Sequence, residues 1–293
     1  MTNDCCVLCR SPVFHSIPDR KGSRTCNRCD HAWFEPNGGA DSTKERDLFG
    51  DWDKDYYRDN KVFEYHKARA SGFKSMVARL SKIYPKRGRL LDIGTGVGIM
   101  MQAAAKDGWT VEGVEPSSRA AKWAHQLTGA VVHVGFLEDL NLKEGYYDAV
   151  TMVDVLRTIP NVIDFLGSAR RLLRPGGIFL IREGNRRILQ RISWCREWLK
   201  GNVRGQSTAA IRRGTDCHGF SPASILYALR QVGCVQSWVE PSPPFLELAP
   251  GANFVVPILK RSVTLASGIL YEASRRRMVV SPGMLAFGRV ATG

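Results

Sequence analysis

One junction constrains this chain more than any other. The run Leu90-Leu91-Asp92-Ile93 enters Gly94-Thr95-Gly96-Val97-Gly98 and leaves into Ile99–Lys106 at helical spacing. A short apolar run, a glycine-studded turn and an amphipathic helix make a strand–turn–helix unit, and such a strand is buried in a parallel sheet. Bare glycines let a ligand approach the backbone, and the helix N-terminus offers free N–H donors. The spacing is G-x-G-x-G, which departs from the G-x-G-x-x-G of dinucleotide sites. Asp92, two residues ahead of the first glycine, would repel a pyrophosphate but suits a cationic ligand. Glu115 ends the next strand, 21 residues after Gly94, where a carboxylate can take both hydroxyls of a ribose.

The same alternation continues along the chain. Strands are predicted at 89–93, 110–114, 131–134, 148–153 and 178–181, with helices at 99–106, 117–127, 162–173 and 221–232 between and after them. Val235–Val239 and Met284–Val290 are predicted to close the sheet edge, and the spacing of Phe73, Met76, Val77, Leu80 and Ile83 predicts a helix ahead of the first strand. Strands alternating with helices mean a doubly wound α/β sheet.

Ahead of it stand two cysteine pairs, Cys6-x2-Cys9 and Cys26-x2-Cys29, with 16 residues between them. A two-residue spacer lets both thiolates of a knuckle reach one tetrahedral ion, and the arrangement fits a zinc ribbon. Four thiolates close the coordination shell, so the zinc is expected to be structural. Two disulfides are the competing reading; the N-terminus Met-Thr-Asn-Asp-Cys-Cys shows no apolar signal core that would favour an oxidising compartment. Residues 1–40 are therefore read as a zinc-ribbon-like module, 41–88 as a helical and aromatic connector, and 89–293 as the α/β domain. Of the remaining cysteines, Cys195, Cys217 and Cys234 read as buried small apolar residues.

Composition excludes some classes. With 44% apolar residues the chain is neither disordered nor fibrous, and no apolar run approaches the ~20 residues that span a bilayer. A net charge of +14 favours an anionic partner. Half of it lies between Arg182 and Arg213, where nine Lys/Arg face Glu183 and Glu197. Ile188, Leu189, Ile192, Cys195, Trp198 and Leu199 recur there at helical spacing. Four readings stay open: a solvated face on a docked helix, a cover (around 182–219) recognising an anionic acceptor, a helix on an anionic membrane, or an RNA-backbone contact. Residues 258–278 form a second basic amphipathic segment ending in Arg275-Arg276-Arg277.

Taken in order, these pieces resemble the class I S-adenosylmethionine-dependent methyltransferases, and more closely the bacterial members with an N-terminal zinc-ribbon-like segment. The likeness runs through the Cys pairs, Asp55-Tyr56-Tyr57, Leu91 to Gly98, Val114-Glu115-Pro116-Ser117, Tyr147-Asp148-Ala149-Val150, Arg171 to Gly177, and Phe220-Ser221-Pro222. It implies a seven-stranded Rossmann-like sheet. It implies that Asp92, Gly94, Gly96, Gly98, Glu115, Phe136, Leu137 and Asp154 border S-adenosylmethionine, with the glycines at the methionine part, Glu115 on the ribose and the 135–138 segment near the adenine. Many relatives carry an aspartate where Phe136 stands. After Val153-Asp154-Val155-Leu156 this chain has Arg157-Thr158, where many relatives show Glu-His and some use that histidine as a base.

Replacement bases are sought in Asp154 at the end of the fourth strand, in Glu183 after the fifth, and in His218 just before Phe220. A loop position facing solvent is the competing expectation for His218. His15 and His31 are expected on the surface of the zinc module, and His125 and His133 in the scaffold. Tyr56 and Tyr57 are candidates to fold over the cofactor.

The resulting expectation is a cytoplasmic enzyme, with peripheral contact at the inner membrane face left open. It would methylate a sugar, glycan or other small metabolite, on oxygen first and carbon second, and the acceptor is expected to be anionic or lipid-linked. An rRNA or tRNA base methyltransferase and a non-catalytic cofactor-binding partner module are the alternatives.

Overall fold

The computed structural model describes residues 5–16, 23–34, 61–199, 217–243 and 255–293. The expected α/β architecture is present. Its main sheet runs β10-β11-β8-β7-β4-β5-β6 and has seven strands: β4 (Arg89–Ile93), β5 (Thr110–Glu115), β6 (Val132–Val134), β7 (Tyr147–Val153), β8 (Leu173–Gly184), β10 (Cys234–Pro241) and β11 (Gly283–Val290). β4 to β8 are parallel, while β11 inserts antiparallel between β8 and β10. Both faces of the central strands are covered, so β7 carries no exposed residue along its length.

The helices are α1 (Lys61–Ala68), α2 (Ala70–Ile83), α3 (Ile99–Lys106), α4 (Ser118–Thr128), α5 (Val162–Leu172), α6 (Arg186–Leu199), α7 (Pro222–Gln231) and α8 (Val255–Ala273). One cluster of buried residues packs α2, α3 and α4 onto one face of the sheet, through Phe73, Met76, Leu80, Met101 and Ala124. A second packs α5 and α7 onto the other, through Phe165, Leu166, Ile225 and Leu229. The cap residues follow sequence chemistry. Ser117 accepts from the Ala120 N–H to start α4, and Ser221 with Ser224 forms a capping box ahead of Pro222. At the opposite edge, Asp148 accepts from the Arg89 backbone N–H (2.8 Å) and from the Tyr84 hydroxyl (2.9 Å), which ties the end of α2 to β4 and β7.

Strand order reverses between β5-β4 and β7-β8, so the crevice above β4 is the place where an open parallel sheet binds ligands. The chain leaves β4 there through a turn in which Gly94, Gly96 and Gly98 all have positive φ (71°, 53° and 83°). A Cβ on Gly98 would lie 2.8 Å from the Cα of Ala124, so glycine is what lets α3 and α4 meet at the turn.

The cysteine segment contributes β1 (Phe14–Ser16), β2 (Ser23–Cys26) and β3 (Ala32–Phe34). Their sheet has a fourth strand, β9 (His218–Gly219), which pairs antiparallel with β3. Cys6, Leu8, Cys9, Cys26, Cys29 and Trp33 belong to the same buried cluster as α5 and α7. A hairpin pair and a two-residue strand 184 residues further on thus form one small sheet, which no local sequence pattern announces.

Candidate cofactor crevice and cysteine centre

Two buried carboxylates shape the crevice. Asp92, 2% exposed at the end of β4, accepts from the Thr151 hydroxyl at 2.6 Å and from the Thr95 hydroxyl at 2.9 Å. Glu115, 4% exposed, accepts from the Gly96 N–H at 2.7 Å and the Ser117 N–H at 3.0 Å. The first link closes β4 onto β7, and the second staples the glycine turn to the start of α4. Burial raises the Asp92 carboxyl to about 6, against the lowering effect of its two hydroxyl donors. Leu137 is buried in the 3-10 turn 137–139, which follows β6, and Phe136 stands at its start, partly buried. A groove of about 590 Å3, lined by Ser118, Arg119, Lys122, Trp123 and Gln126, runs along the exposed side of α4.

At the neighbouring rim, Asp154 follows β7 with φ of +61°, unusual for a residue with a side chain. The strain is held by charge. Arg69 donates to it at 2.8 Å, Arg182 donates to its other oxygen, and Arg157 stands 3.7 Å away. Burial alone would raise this carboxyl, but Arg182, Arg157 and Arg69 outweigh it and hold it well below the usual carboxylate range. A proton acceptor needs a pKa nearer the working pH, so this environment argues against Asp154 as a base. Glu183, at the end of β8 and 2% exposed, is different: burial raises it to about 7 despite Arg157.

His218 corrects the sequence expectation. It lies in β9, 6% exposed, not in a solvent-facing loop. Its Nε2–H donates to the Ile159 carbonyl at 2.8 Å, and its Nδ1 accepts from His31 Nε2 at 3.1 Å. Burial lowers it to about 4, and both nitrogens are engaged, so it is a structural pin for the 156–160 turn rather than a base. His31, expected on the surface, is fully buried against it, Trp33 and Phe220. Cys195 is exposed rather than buried, while Cys217 and Cys234 are buried as expected. His133 contacts Glu112 at 2.9 Å and His125 the Ala130 carbonyl at 2.8 Å, both scaffold roles. Tyr56 and Tyr57 lie outside the described residues, as does the 200–216 part of the basic segment.

The four cysteines of the two pairs are buried, unbridged, and have their sulfurs within 4.8 Å of one another. Cys6–Cys29 and Cys9–Cys26 sulfurs are 3.6 and 3.4 Å apart. A tetrahedral ion with Zn–S of about 2.3 Å needs sulfur separations of about 3.8 Å, so the donor set fits zinc. Both knuckles fold alike: Arg10 and Asp30, each following the second cysteine of its pair, adopt positive φ, and their N–H groups return to the Cys6 and Cys26 carbonyls.

Sequence reasoning missed Asp30 and Arg69. Asp30 receives Arg186 and Arg187, each at 2.6 Å, and its carbonyl accepts from the Ser221 hydroxyl at 3.3 Å. It therefore fastens the second knuckle to the starts of α6 and α7, and two arginines of the basic segment serve that joint. Arg69, between α1 and α2, is buried against Asp154. Its only sequence signal is a charged residue interrupting a helical apolar face.

Against known proteins, the model of the family described as "Methyltransferase domain" matches residues 65–237. The chain belongs to that family, within the class I S-adenosylmethionine-dependent methyltransferases. It is 33% identical over 96 residues to a ubiquinone biosynthesis O-methyltransferase of Paramagnetospirillum magneticum, covering 31% of this chain and 38% of that one. It is 31% identical over 97 residues to a demethylmenaquinone methyltransferase of Tropheryma whipplei, covering 32% and 41%. The matches thus span about two fifths of these relatives' length. Among solved structures, the plantazolicin methyltransferase BpumL, in complex with a monoazolic desmethyl analogue and SAH, superimposes with a TM-score of 0.55 at 15% identity, covering 84% of this chain and 93% of that one. That likeness is one of fold.

The raised Asp92 pKa has a signed consequence. The folded state keeps this proton up to about pH 6 while the unfolded chain releases it near 3.8, so the charge costs stability as pH rises between them. Asp92→Asn should therefore gain stability relative to wild type as pH rises from about 4 to about 7, by up to about 3 kcal/mol. The buried histidines are common to both proteins and cancel in the difference. Urea denaturation of the two proteins across this range checks it; a pH-independent difference contradicts the burial of a charged Asp92.

Proposed function

We propose that this chain transfers a methyl group from S-adenosylmethionine to a small-metabolite acceptor. The observation that carries the reading is the pairing of two buried carboxylates, Asp92 and Glu115, around a turn of positive-φ glycines at the strand-order reversal. In this reading Gly94, Gly96 and Gly98 would border the methionine part, Glu115 the ribose hydroxyls, and Phe136 with Leu137 the adenine. Phe136 cannot accept a hydrogen bond from an adenine amino group, so packing and backbone groups serve there. S-adenosylmethionine, when bound, supplies a methyl carbon already activated by a positively charged sulfur.

What remains for the protein is positioning and exclusion of water. Asp154 and its arginines set the rim: they fix the 154–157 backbone, whose Arg157 N–H reaches Glu183 at 3.4 Å. Glu183, raised toward neutrality and placed at the same rim, is the candidate proton acceptor for a hydroxyl acceptor. Oxygen is the proposed methylated atom, with carbon second, in keeping with the quinone-pathway names of the relatives. A sugar acceptor remains part of the proposal by family analogy. Its anionic character rests on the charge of the 182–213 segment.

The test joins binding to product. Asp92→Ala and Glu115→Ala are expected to weaken S-adenosylmethionine binding by about tenfold or more in calorimetry, as loss of a charged hydrogen-bonding partner does. Label from methyl-tritiated cofactor, offered with cell extract, should enter a ribonuclease-resistant small-molecule fraction. Ribonuclease-sensitive label supports an RNA methyltransferase instead, and binding without turnover supports a partner module.

We further propose that Cys6, Cys9, Cys26 and Cys29 hold one structural zinc. Elemental analysis should find about one zinc per chain, lost in Cys26→Ser together with a lowered melting temperature. Metal-free wild type that melts like the variant contradicts it.

A further inference from the structure

The connection between β10 and β11 is far longer than the sheet requires. The two strands are antiparallel neighbours, which a turn of a few residues joins, yet 41 residues separate Pro241 from Gly283. α8 lies within this insertion, and it is mounted inside out. Its protein-facing side presents Ser267 and Tyr271, both buried, with Thr264, Gly268 and Ser274 half-buried beside them. The Ser267 hydroxyl is buried without a hydrogen-bond partner. The opposite side presents Val263, Leu265, Ile269 and Leu270, with Leu265 68% and Ile269 61% exposed, and Ala266 and Ala273 lie exposed between them. A helix on a globular protein facing water shows the reverse pattern. An exposed, contiguous apolar face marks a surface that is covered by something apolar.

Charge says what covers it. The stretch 262–271 carries no charged residue; Lys260-Arg261 precede it, and Arg275-Arg276-Arg277 follow it, with Glu272 at the C-terminal edge of the exposed face ion-paired to Arg276 at 3.2 Å and leaving a net positive end. One basic group thus precedes the apolar stretch in the chain, and the other follows in the turn after the helix ends at Ala273. Among the described residues no helix is long and apolar enough to cross a membrane. An apolar face bracketed by cations suits a helix lying in the plane of an anionic bilayer, with acyl chains under Leu265 and Ile269 and phosphates around the arginines. A second copy of the chain would bring the same cations together on a protein that already carries +14.

We propose that α8 is a membrane-surface anchor that docks this protein on bilayers containing anionic lipid. The proposal goes beyond the methyl-transfer reading and does not rest on it.

The experiment is flotation of the full-length protein with vesicles of phosphatidylcholine alone and of phosphatidylcholine with phosphatidylglycerol, alongside sedimentation velocity without lipid. Wild type should float with the anionic vesicles and stay behind with the neutral ones. Leu265→Glu/Ile269→Glu should lower the floating fraction about tenfold or more, since the apolar contact supplies the insertion. Both side chains are exposed, so its melting temperature should match wild type. Arg275→Gln/Arg276→Gln/Arg277→Gln should remove the preference for anionic lipid. Failure of wild type to float, or flotation unchanged in the Leu265→Glu/Ile269→Glu variant, overturns the proposal. So does a wild-type dimer that this variant dissolves, which would make a second copy the occupant.

Discussion

The crevice depends on one arrangement: a backbone that turns sharply where β4 ends, held by side-chain carboxylates as well as by its own hydrogen bonds to Val114 and within the turn. Gly96 and Ser117 would each leave an N–H without a carbonyl partner there, and Glu115 takes both. Asp92 sits beneath, ionised against the cost of its burial and steadied by Thr95 and Thr151. Burial of the Asp92 charge lowers the stability of the empty protein, as groups kept for a ligand do. The same bend lets α3 meet α4 closely at Gly98.

The acceptor rim is built on the same economy of charge. Asp154 would be costly at positive φ and away from water, yet three arginines from α2's start, the 156–158 turn and β8 surround it. The turn they fix is also held from below by His218, whose strand is borrowed by the cysteine segment. Asp30 then locks that segment to α6 and α7 through Arg186 and Arg187. The cysteine centre is thus physically continuous with the rim: one chain of contacts runs from the second knuckle through His31 and His218 to Ile159, a few residues from Asp154. Two of the three residues considered as bases, Asp154 and His218, serve in it as braces.

Much of the fold was legible because its elements are locally consistent. β4, α3 and the two last strands follow from apolar runs, glycines and period alone, and α3 falls at Ile99–Lys106 as read. The cysteine cluster was legible from spacing because two short knuckles need no long-range information to meet. The rest depended on contacts between distant residues. Nothing near His218 says that it will pair with a strand at Ala32–Phe34, and nothing near Asp30 names Arg186 as its partner. The inverted face of α8 was likewise hidden: its sequence shows an amphipathic helix with basic ends, and only the packing of Ser267 and Tyr271 reveals which side faces out.

The central claim is that the bent, glycine-lined turn and its two carboxylates exist to hold an adenosine-bearing sulfur compound. Crystals of the protein grown with S-adenosylhomocysteine test it most directly. The account predicts density above β4 against Gly94–Gly98, with the ribose hydroxyls on Glu115 and the adenine beside Phe136 and Leu137. The same compound found at another place on the chain, or a crevice that stays empty at saturating concentration while Glu115 remains on the Gly96 and Ser117 amides, would contradict it.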